Sequence, residues 1–390
     1  MIVRFESWGA WVKLEAMPAL VALDRDGARA LGLDGGDVWT AKRRVAAPLE
    51  VHLAVTGRCG AGCRGCYMDA RPDGAEPPLA VLERELDAMQ AAGVFTVAFG
   101  GGEPTMRDDL DLLAAAARAR NLTPVLTTSG LGLSDARLDK LRGFAQVNVS
   151  YDGPAQTYAD VRGFDGADAA ERAIERLARA GIRVGANVVL TRASFPRVGA
   201  TVARARSLGA CEAQLLRYKP AGRAASIDYV AHRLSASQAR ALGPTLRALS
   251  RDLCTDTDFH LRIDCALVPF LSADEDLLAD SHRLARLGVL GCEAGGALAA
   301  VTVDGRVAPC SFATATDLAG ADLASGYGDD PVLERWRAHN EDPPEPCASC
   351  VLKGVCKGGC KIVASFVSGG TSHGPDPECP RVLAHRGCVA

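Results

Sequence analysis

Three features are missing from this 390-residue sequence, and each absence excludes a class of protein. There is no excess charge of one sign, since 44 Lys and Arg face 47 Asp and Glu, so nothing favours nucleic acid or anionic lipid. No unbroken apolar run approaches 18 residues, which excludes a membrane span. The N-terminus, with Arg4 and Glu6, lacks the basic-then-apolar pattern of a signal peptide. We therefore expect a globular cytoplasmic protein.

Cysteine, in contrast, is abundant and unevenly placed. The chain has 14 cysteines, with three between Cys59 and Cys66 and four between Cys347 and Cys360. Disulfide scaffolds are usually shorter and secreted, so bunched thiols in this context indicate metal ligands.

Apolar stretches of strand length alternate with amphipathic stretches of helix length from Pro48 onward. This alternation predicts an α/β fold with parallel strands and crossover helices, which an open sheet and a partial barrel both satisfy. In either fold the chemistry belongs at the C-terminal ends of the strands. The predicted strands are Leu49–Val55, Val94–Phe99, Leu122–Thr127, Ala145–Ser150, Ile182–Leu190 and Cys211–Arg217. The predicted helices are Leu79–Ala92, Leu110–Arg120, Ser134–Arg142, Ala167–Ala180, Phe195–Leu208 and Ser235–Leu253.

Three regions follow from this pattern. Residues 1–47 form a leader with mixed strand and helix signals, in which Asp26 is predicted to cap a helix over 27–33. Residues 48–279 carry the repeats. Residues 280–390 contain Gly/Pro-rich turns and most of the remaining cysteines, and such a small apolar content predicts a segment held together by metal.

The first candidate site directly follows the first predicted strand, where Cys59, Cys63 and Cys66 are spaced Cys-x3-Cys-x2-Cys. Three thiolates can hold three irons of a cubane and leave the fourth iron open, as catalysis requires. The alternative is a zinc site completed elsewhere, for example by His52, although structural zinc favours paired Cys-x-x-Cys units.

The second candidate site, Phe99-Gly100-Gly101-Gly102-Glu103-Pro104, lies at the end of the second predicted strand. Glycines allow close approach of a ligand to the backbone, and a glutamate accepts hydrogen bonds from an ammonium group. Alone, the motif is more typical of a glycine turn with a solvated glutamate.

Together the two motifs resemble those of the radical S-adenosylmethionine enzymes. The resemblance implies a partial (β/α)6 TIM-like barrel and a 4Fe–4S cluster on the three cysteines. It also implies that the methionine moiety of S-adenosylmethionine binds the open iron, Glu103 and the backbone of Gly101 and Gly102. Reductive cleavage would then yield a 5′-deoxyadenosyl radical. One departure is that Gly65 stands where the family has a bulky apolar residue, with Tyr67 after the motif.

Further cosubstrate contacts are predicted at the ends of later strands. Ser150 and Asp152 lie where the family contacts the ribose, and Asn187 and Arg217 are expected to face the same mouth if the register holds. For each of them, a hydrogen-bonded turn or a solvated residue is the alternative.

The C-terminal cysteines resemble the SPASM extension, which binds two auxiliary 4Fe–4S clusters. The resemblance assigns Cys347, Cys350, Cys356 and Cys379 to one cluster. It assigns Cys292, Cys310 and Cys360 to the other, whose fourth ligand is either Cys265 or absent, with substrate a further possibility at the open site. Two zinc ribbons are the alternative, but Cys-x5-Cys and Cys-x3-Cys fit zinc knuckles poorly.

The remaining cysteines carry weaker expectations. Cys211 and Cys254 are predicted to be buried apolar thiols. Cys388 could be either a free thiol or a ligand. His373 is predicted to be a loop residue rather than a ligand.

This branch of the family implies oxidative modification of a ribosomally made peptide, as a thioether or carbon–carbon crosslink. The implied partners are a precursor peptide, a reductant such as flavodoxin or ferredoxin, and a separate recognition protein, since 47 residues are too few for the usual recognition domain. Two alternatives to a separate recognition protein are that the leader adds strands to the precursor, or that it only packs on the barrel. No catalytic acid or base is identified.

Two alternative functions remain. One is protein or cofactor maturation, such as formylglycine formation in sulfatases, but that subgroup has an acidic base after the cysteine matching Cys310, where this chain has Ser311. Ser311 could replace that acid only if another base lay near it. The other alternative is a non-catalytic iron–sulfur electron carrier, which needs neither Glu103 nor an open cluster.

Overall fold

The strands of the protein form two separate sheets. The structure is a computed structural model that describes residues 1–14, 19–40, 47–254, 258–370 and 374–387. Its strands are β1 (Ile2–Glu6), β2 (Gly9–Leu14), β3 (Ala19–Asp24), β4 (Glu50–Thr56), β5 (Thr96–Gly101), β6 (Thr123–Thr128), β7 (Gln146–Ser150), β8 (Val184–Leu190), β9 (Glu212–Arg217), β10 (His260–Ile263), β11 (Leu298–Val301) and β12 (Val307–Ala308).

The helices lie mainly between the strands of the larger sheet and in the C-terminal segment. Among the described residues, no helix is long and apolar enough to cross a membrane. The helices are α1 (Arg25–Ala30), α2 (Leu79–Ala92), α3 (Leu110–Ala119), α4 (Asp135–Asp139), α5 (Ala155–Arg162), α6 (Ala167–Arg179), α7 (Val198–Ser207), α8 (Ile227–His232), α9 (Ala236–Leu253), α10 (Glu275–Ala279), α11 (Ser281–Arg286), α12 (Pro331–Glu341), α13 (Lys353–Cys356), α14 (Lys361–Val367) and α15 (Pro380–His385).

The larger sheet confirms the predicted repeat of parallel strands and crossover helices. Strands β4 to β9 lie side by side in chain order and pair in parallel. All six predicted strands and all six predicted helices occur, with ends that differ from the prediction by a few residues. The sheet also has strands that the repeat did not predict: β10 extends it beside β9, and β11 with β12 extends it beside β4.

Alternation along β4 separates the two faces of this sheet. Val51, Leu53 and Val55 are buried in the core between the sheet and its helices. Glu50 and His52 point to the opposite, inner face of the barrel and are only half-buried. The apolar face stabilises the fold, at about 1.5–3 kcal/mol per large side chain fully buried, while the inner face remains polar.

Helix α2 shows how the outer layer is built. Leu82, Leu86 and Met89 recur at helical spacing and are all buried in the core. The helix follows Pro78 and ends at Gly93, which has a φ of 74°. Only glycine adopts this left-handed conformation without strain, so the residue terminates the helix.

The C-terminal segment is continuous with the barrel sheet. β11 pairs in parallel with β4, in the register Leu298 to Glu50 and Ala300 to His52. A second hydrophobic core lies beneath β8 and β9 and includes Val355 of α13. The sheet and its packing therefore extend across the division predicted near residue 280.

The N-terminal leader forms a three-stranded antiparallel sheet that packs on one end of the barrel. Arg4 of β1 donates hydrogen bonds to the carbonyls of Pro48 and Gly93, each at 2.9 Å. These carbonyls precede β4 and β5, so the leader contacts the end opposite to the strand C-termini. The predicted helix start is corrected by two residues, because Asp24 rather than Asp26 caps α1.

Candidate functional site

The three clustered cysteines lie in the loop after β4, at the C-terminal end of the barrel. Cys59, Cys63 and Cys66 are all half-exposed, and none of the thirteen described cysteines forms a disulfide. Backbone contacts hold the loop, since the amide of Cys59 donates to the carbonyl of Arg71 at 2.8 Å. The Arg223 amide donates to the carbonyl of Cys66 at 2.9 Å, and its Nε donates to that of Cys63 at 3.0 Å. The thiols are thus presented by a loop with fixed backbone geometry.

The glycines after β5 bring a second loop against the cysteine loop. A Cβ on Gly101 would lie 2.3 Å from the carbonyl oxygen of Thr56, and one on Gly102 would lie 2.2 Å from that of Arg58. Gly101 also has a φ of 113°, which L residues rarely adopt. These two glycines therefore allow contact between the loops. Gly100, which belongs to the same motif, is the glycine beside open space.

Glu103 is buried, and its carboxylate accepts five hydrogen bonds from three residues. Oε1 accepts from the amide and hydroxyl of Thr105 and from the hydroxyl of Thr128, at 2.6–3.2 Å. Oε2 accepts from the amide and hydroxyl of Ser129 at 2.7 and 2.5 Å. Pro104 follows as the first residue of a short 3-10 helix. Because the carboxylate is saturated, a cosubstrate ammonium group would have to displace one of these donors.

Ser150 and Asn187 are register neighbours at the C-terminal ends of β7 and β8. Asn187 is buried, and its Oδ1 has no hydrogen-bond partner. A buried acceptor without a donor is costly unless a ligand supplies one. This orphaned oxygen, on the residue paired with Ser150, fits a ligand that carries donors, such as a ribose or an amino group.

Arg217 was expected to face the mouth and Asp152 to contact the ribose, but both side chains have other partners. Asp152 is 0% exposed, with Oδ2 2.5 Å from Nε of Arg162 and Oδ1 accepting from the amide of Val189. Arg217 follows the alternation of β9 onto the outer face, where its Nη1 pairs with Asp376 at 2.6 Å. Both side chains are occupied by buried ion pairs, which removes the basis for direct cosubstrate contact.

Arg217 instead attaches the C-terminal segment to the barrel. Its Nη2 also pairs with Glu378 at 2.8 Å, and its guanidinium lies 4.5 Å from the ring centroid of Phe270. The two carboxylates raise the pKa of Arg217 although burial alone would lower it. The sequence carried no local signal for this pairing, because the partners are about 160 residues apart.

Gly65 is explained by Tyr218, which follows β9. A Cβ on Gly65 would lie 2.6 Å from two atoms of the Tyr218 side chain, including its hydroxyl oxygen. The Tyr218 ring stacks on Tyr229 with centroids 6.0 Å apart. The aromatic ring therefore occupies the space that a bulky residue at position 65 would need.

A first group of thiols consists of Cys265 and three cysteines of the C-terminal region. Cys292, Cys310 and Cys360 lie in one hydrophobic cluster together with Ala266, the residue after Cys265. Burial, together with Cys292 and Cys360, raises the pKa of Cys310 to about 12. Burial also raises the pKa of Cys265 well above its usual value, and Asp264, Cys292 and Cys360 act in the same direction. Cys265 thus lies close enough to Cys292 and Cys360 for their charges to act on its pKa. Thiols gathered in this way suit a cation or cluster that stabilises their thiolates.

A second group consists of the other four predicted ligands: Cys347, Cys350, Cys356 and Cys379. Burial raises the pKa of Cys347 to about 12, with Cys379 and Cys350 contributing. Burial likewise raises the pKa of Cys356, with contributions from Cys379 and Cys347. In the described ranges no three Cys, His, Asp or Glu side chains converge as ligands of one metal ion.

Lys219 and Asp264 form a buried ion pair beside the first group of thiols. Their Nζ and Oδ2 atoms are 2.5 Å apart, and Nζ lies 3.9 Å from the ring centroid of Phe312. That ring in turn lies 4.6 Å from the ring of Tyr67, the residue after Cys66. These aromatic contacts join the cysteine loop of the barrel to the loop of Cys310, a connection that sequence analysis missed.

His52 has partners other than the clustered thiols. Nδ1 lies 2.7 Å from Oγ of Ser311, and Nε2 lies 3.0 Å from Oε1 of Glu50. Both ring nitrogens are therefore engaged, which removes support for His52 as a zinc ligand beside Cys59.

The other cysteines lie apart from these groups. Cys211 and Cys254 are half-buried rather than fully buried, and Cys254 packs against the second hydrophobic core. Cys388 and His373 lie outside the described residues.

Comparison with known proteins identifies one domain of the chain and several similar proteins. Residues 53–194 match the Radical SAM superfamily model. Mycofactocin maturase MftC of Mycolicibacterium smegmatis is 28% identical over 87% of this chain and 84% of its own length. PqqA peptide cyclase of Gluconobacter oxydans is 29% identical over 85% of this chain and 90% of its own length. Streptococcus suis SuiB, solved bound to precursor peptide SuiA, superimposes with a TM-score of 0.72 at 18% identity, covering 97% and 98% of the two chains. Residues 53–194 of the chain therefore carry a radical SAM domain.

Proposed function

We propose that this enzyme is a peptide maturase that crosslinks a ribosomally made precursor peptide by oxidation, forming a thioether or a carbon–carbon bond. One observation carries the proposal. The similarity to a maturase and to a peptide cyclase spans 85–87% of the chain, well beyond the 142 residues of 53–194. It therefore extends beyond the radical SAM domain, which by itself does not specify a substrate.

The proposed cosubstrate site is the mouth between the loops after β4 and β5. Cys59, Cys63 and Cys66 hold a 4Fe–4S cluster with one open iron. When bound, this cluster and S-adenosylmethionine supply a 5′-deoxyadenosyl radical that removes a hydrogen atom from the substrate. Gly101 and Gly102 keep the two loops in contact, and Glu103 fixes the loop that carries them through Thr128 and Ser129.

The proposed ribose side of the site lies at the ends of β7 and β8. Asn187 Oδ1 and the Ser150 hydroxyl accept hydrogen bonds from the cosubstrate, which satisfies the orphaned buried oxygen. Asp152 acts indirectly: its bond to Arg162 is supported by a hydrogen bond from the amide of Arg64 to the carbonyl of Arg162, at 2.9 Å. This link ties the cysteine loop to α5.

The two C-terminal thiol groups are proposed to hold auxiliary 4Fe–4S clusters. The inner cluster is held by Cys292, Cys310 and Cys360, with Cys265 as fourth ligand. The outer cluster is held by Cys347, Cys350, Cys356 and Cys379. Such clusters suit an oxidation, because a product radical must pass on one electron. The proposed regions are thus a leader (1–47), a barrel (48–279) and an auxiliary-cluster region (280–390).

The proposed partners follow from this chemistry. A precursor peptide is the substrate, and flavodoxin or ferredoxin supplies the electron for cosubstrate cleavage. The leader sheet binds the barrel at the end opposite to the mouth, which is compatible with a separate peptide-recognition protein. Cysteine ligands in this number must stay reduced to bind clusters, which requires a reducing compartment, so we place the enzyme in the cytoplasm.

The test is an anaerobic reaction of reconstituted enzyme with S-adenosylmethionine, a reductant and the short peptide encoded beside its gene. We expect 5′-deoxyadenosine and a peptide that has lost two hydrogens per crosslink. The Cys59→Ala/Cys63→Ala/Cys66→Ala variant is the control and yields neither. Absence of 5′-deoxyadenosine from the wild type would indicate an electron carrier. Formylglycine formation on a sulfatase peptide instead would overturn the crosslinking proposal.

A further inference from the structure

Lys361 is a buried cation that has no carboxylate partner among the described residues. The residue is 1% exposed, which is rare for a lysine. Its Nζ donates hydrogen bonds to the carbonyl of Lys357 at 2.9 Å and to that of Gly359 at 3.3 Å. Carbonyl oxygens satisfy the donors of an ammonium group but do not offset its charge. A buried charge is costly unless an opposite charge lies near it.

The side chain of Lys361 folds back over the turn that joins the two proposed cluster sites. Both carbonyls belong to the three residues between Cys356, a proposed outer ligand, and Cys360, a proposed inner ligand. Burial raises the pKa of Cys347 and of Cys356, and the charge of Lys361 opposes this rise in both thiols. The ammonium group therefore lies close enough to the outer thiols to act on them.

The other charged groups of this region are joined in ion pairs. These pairs are Arg217–Asp376 at 2.6 Å, Arg233–Glu378 at 2.7 Å, Lys353–Asp342 at 3.0 Å and Lys357–Glu293. In each of them the two charges offset one another. Lys361 differs from these cations, because the part of the chain that the structure describes places no carboxylate against its Nζ.

The inner thiols have a buried lysine of a different kind. Burial raises the pKa of Cys310 and of Cys360, and the charge of Lys219 opposes this rise. However, Nζ of Lys219 lies 2.5 Å from Oδ2 of Asp264. This pair is neutral overall, whereas Lys361 adds a net positive charge beside the outer thiols.

A net positive charge near an iron–sulfur cluster favours its reduced form. Reduction adds one negative charge to the cluster, and its potential depends on the charges, hydrogen bonds and solvent around it. The effect of a charge is stronger in the protein interior than in water. The uncompensated ammonium group of Lys361 should therefore raise the reduction potential at the outer site more than the Lys219–Asp264 pair raises it at the inner site.

We propose that Lys361 supplies the buried positive charge that offsets the outer auxiliary cluster and holds its reduction potential above that of the inner cluster. This inference rests on the proposed function, which assigns both clusters. One electron released by oxidation of the substrate passes from the inner site, which is oxidised, to the outer site, which is reduced. No bond changes and no proton moves in this step. Oxidised flavodoxin or ferredoxin then takes the electron from the outer site.

The test is an anaerobic redox titration of the reconstituted holoenzyme, followed by electron paramagnetic resonance. Cys347→Ala/Cys350→Ala identifies the outer-cluster signal by its loss. Lys361→Met removes the charge and keeps an unbranched side chain. We expect the equilibrium constant for reduction of the outer cluster to fall about tenfold or more, which is about 59 mV for a one-electron couple. The potential of the inner cluster should change much less.

Two further variants separate the charge from the side chain that carries it. Lys361→Arg keeps a cation and should keep the outer potential near that of wild type. Lys353→Met is the matched control, because Lys353 belongs to the same region but is paired with Asp342 at the surface. It should leave both auxiliary potentials unchanged, since exposed pairs are screened by solvent.

Several results would overturn the role of Lys361. One is an unchanged outer potential in Lys361→Met, and another is an equal fall of both auxiliary potentials. If Lys361→Met loses the outer cluster, leaving about eight irons, Lys361→Arg decides: retention at the wild-type potential supports the role of the charge, and loss in both variants overturns it.

Failure of the proposed function gives different results. A wild-type enzyme that holds both auxiliary clusters but crosslinks no peptide would contradict the crosslinking proposal, while the potentials would still test Lys361. About four irons in wild type would contradict the auxiliary clusters and the role of Lys361 with them.

Discussion

Glu103 illustrates how a motif residue gains its role from donors that the motif does not contain. Its five hydrogen bonds come from Thr105, Thr128 and Ser129, two of which lie at the end of a different strand. The sequence suggested a glutamate available to a ligand. The structure instead shows a carboxylate that joins the ends of β5 and β6. Its first contribution to the candidate site is therefore to hold the loop after β5 in position.

This arrangement predicts that Glu103→Gln is destabilising although it preserves shape. In Glu103→Gln an NH2 group would replace one of the two carboxylate oxygens. It would face either the donors of Thr105 and Thr128 or those of Ser129, and these buried donors would be left unpaired at a cost of about 1–3 kcal/mol. Anaerobic thermal unfolding should show a lower midpoint, and calorimetry should show weaker S-adenosylmethionine binding. Glu275→Gln, at an exposed helix start, is the control and should match wild type. An unchanged midpoint in Glu103→Gln would contradict the network.

The close approach of Gly65 and Tyr218 predicts that substitutions at these two positions compensate each other. Gly65→Leu should displace the Tyr218 ring and weaken S-adenosylmethionine binding, because overpacking costs about 1–3 kcal/mol. Gly65→Leu/Tyr218→Ala should recover much of this loss, since the two residues occupy the same space. Binding measured for both single variants and the double variant forms a thermodynamic cycle. Additive effects of the two substitutions would show that the residues are independent.

At the scale of elements, the short α12 depends on its N-cap. Asp330 accepts hydrogen bonds from the amides of Val332 and Leu333 within the helix and of Gly320 and Ala321 outside it. Burial would raise the pKa of Asp330, but these four amides lower it below its usual range. The cap therefore joins α12 to the preceding loop, in a segment with few other regular elements.

This cap predicts a specific dependence of stability on pH. Because the folded-state pKa is depressed, the contribution is complete above the unfolded-state pKa, near about 4, and is lost as pH falls through the folded-state pKa. Asp330→Asn should lower the free energy of unfolding by about 1–3 kcal/mol at pH 7, because an amide nitrogen in place of Oδ2 cannot accept the hydrogen bonds of Gly320 and Ala321. The difference from wild type should shrink below about pH 4.

Chemical denaturation at several pH values measures this difference, and the cluster content common to both proteins cancels. Asp73→Asn, at an exposed aspartate in a turn, controls for the loss of one negative charge. A difference from wild type that stays constant to the lowest pH would contradict the prediction for Asp330.

At the scale of the whole molecule, the C-terminal region is bound to the barrel by pairing rather than by an extended core of its own. β11 extends the barrel sheet, and Arg217 pairs with Asp376 and Glu378 across the same boundary. Buried ion pairs of this kind are costly to break, at about 3–5 kcal/mol when one partner is removed. The thiol groups are thus held in a fixed relation to the mouth.

The cysteine groups predict the iron content of the enzyme. Wild type should contain about twelve irons with matching sulfide, and Cys59→Ala/Cys63→Ala/Cys66→Ala about eight. Replacing Cys347, Cys350, Cys356 and Cys379 by alanine should also leave about eight irons and lower the unfolding midpoint, because metal binding stabilises the fold. Anaerobic iron and sulfide quantitation checks both. About four irons in wild type, with zinc in place of the remainder, would contradict the auxiliary clusters.

The sequence by itself determined the features that local chemistry encodes. The alternation of apolar runs was sufficient to predict strands β4 to β9 and the main helices, because periodicity reflects which face of each element is buried. The spacing of Cys59, Cys63 and Cys66 was sufficient to suggest an iron–sulfur enzyme, because thiolates close in sequence are close in space.

Only the tertiary structure decided which side chains meet across long separations. Arg217 points away from the mouth because the alternation of β9 places its side chain on the outer face. Asp152 forms an ion pair with Arg162. Cys265 lies near Cys292 and Cys360, and His52 meets Ser311 because β11 pairs with β4. These contacts depend on strand register and long-range pairing, which arise from the packing of the whole chain and have no local signature.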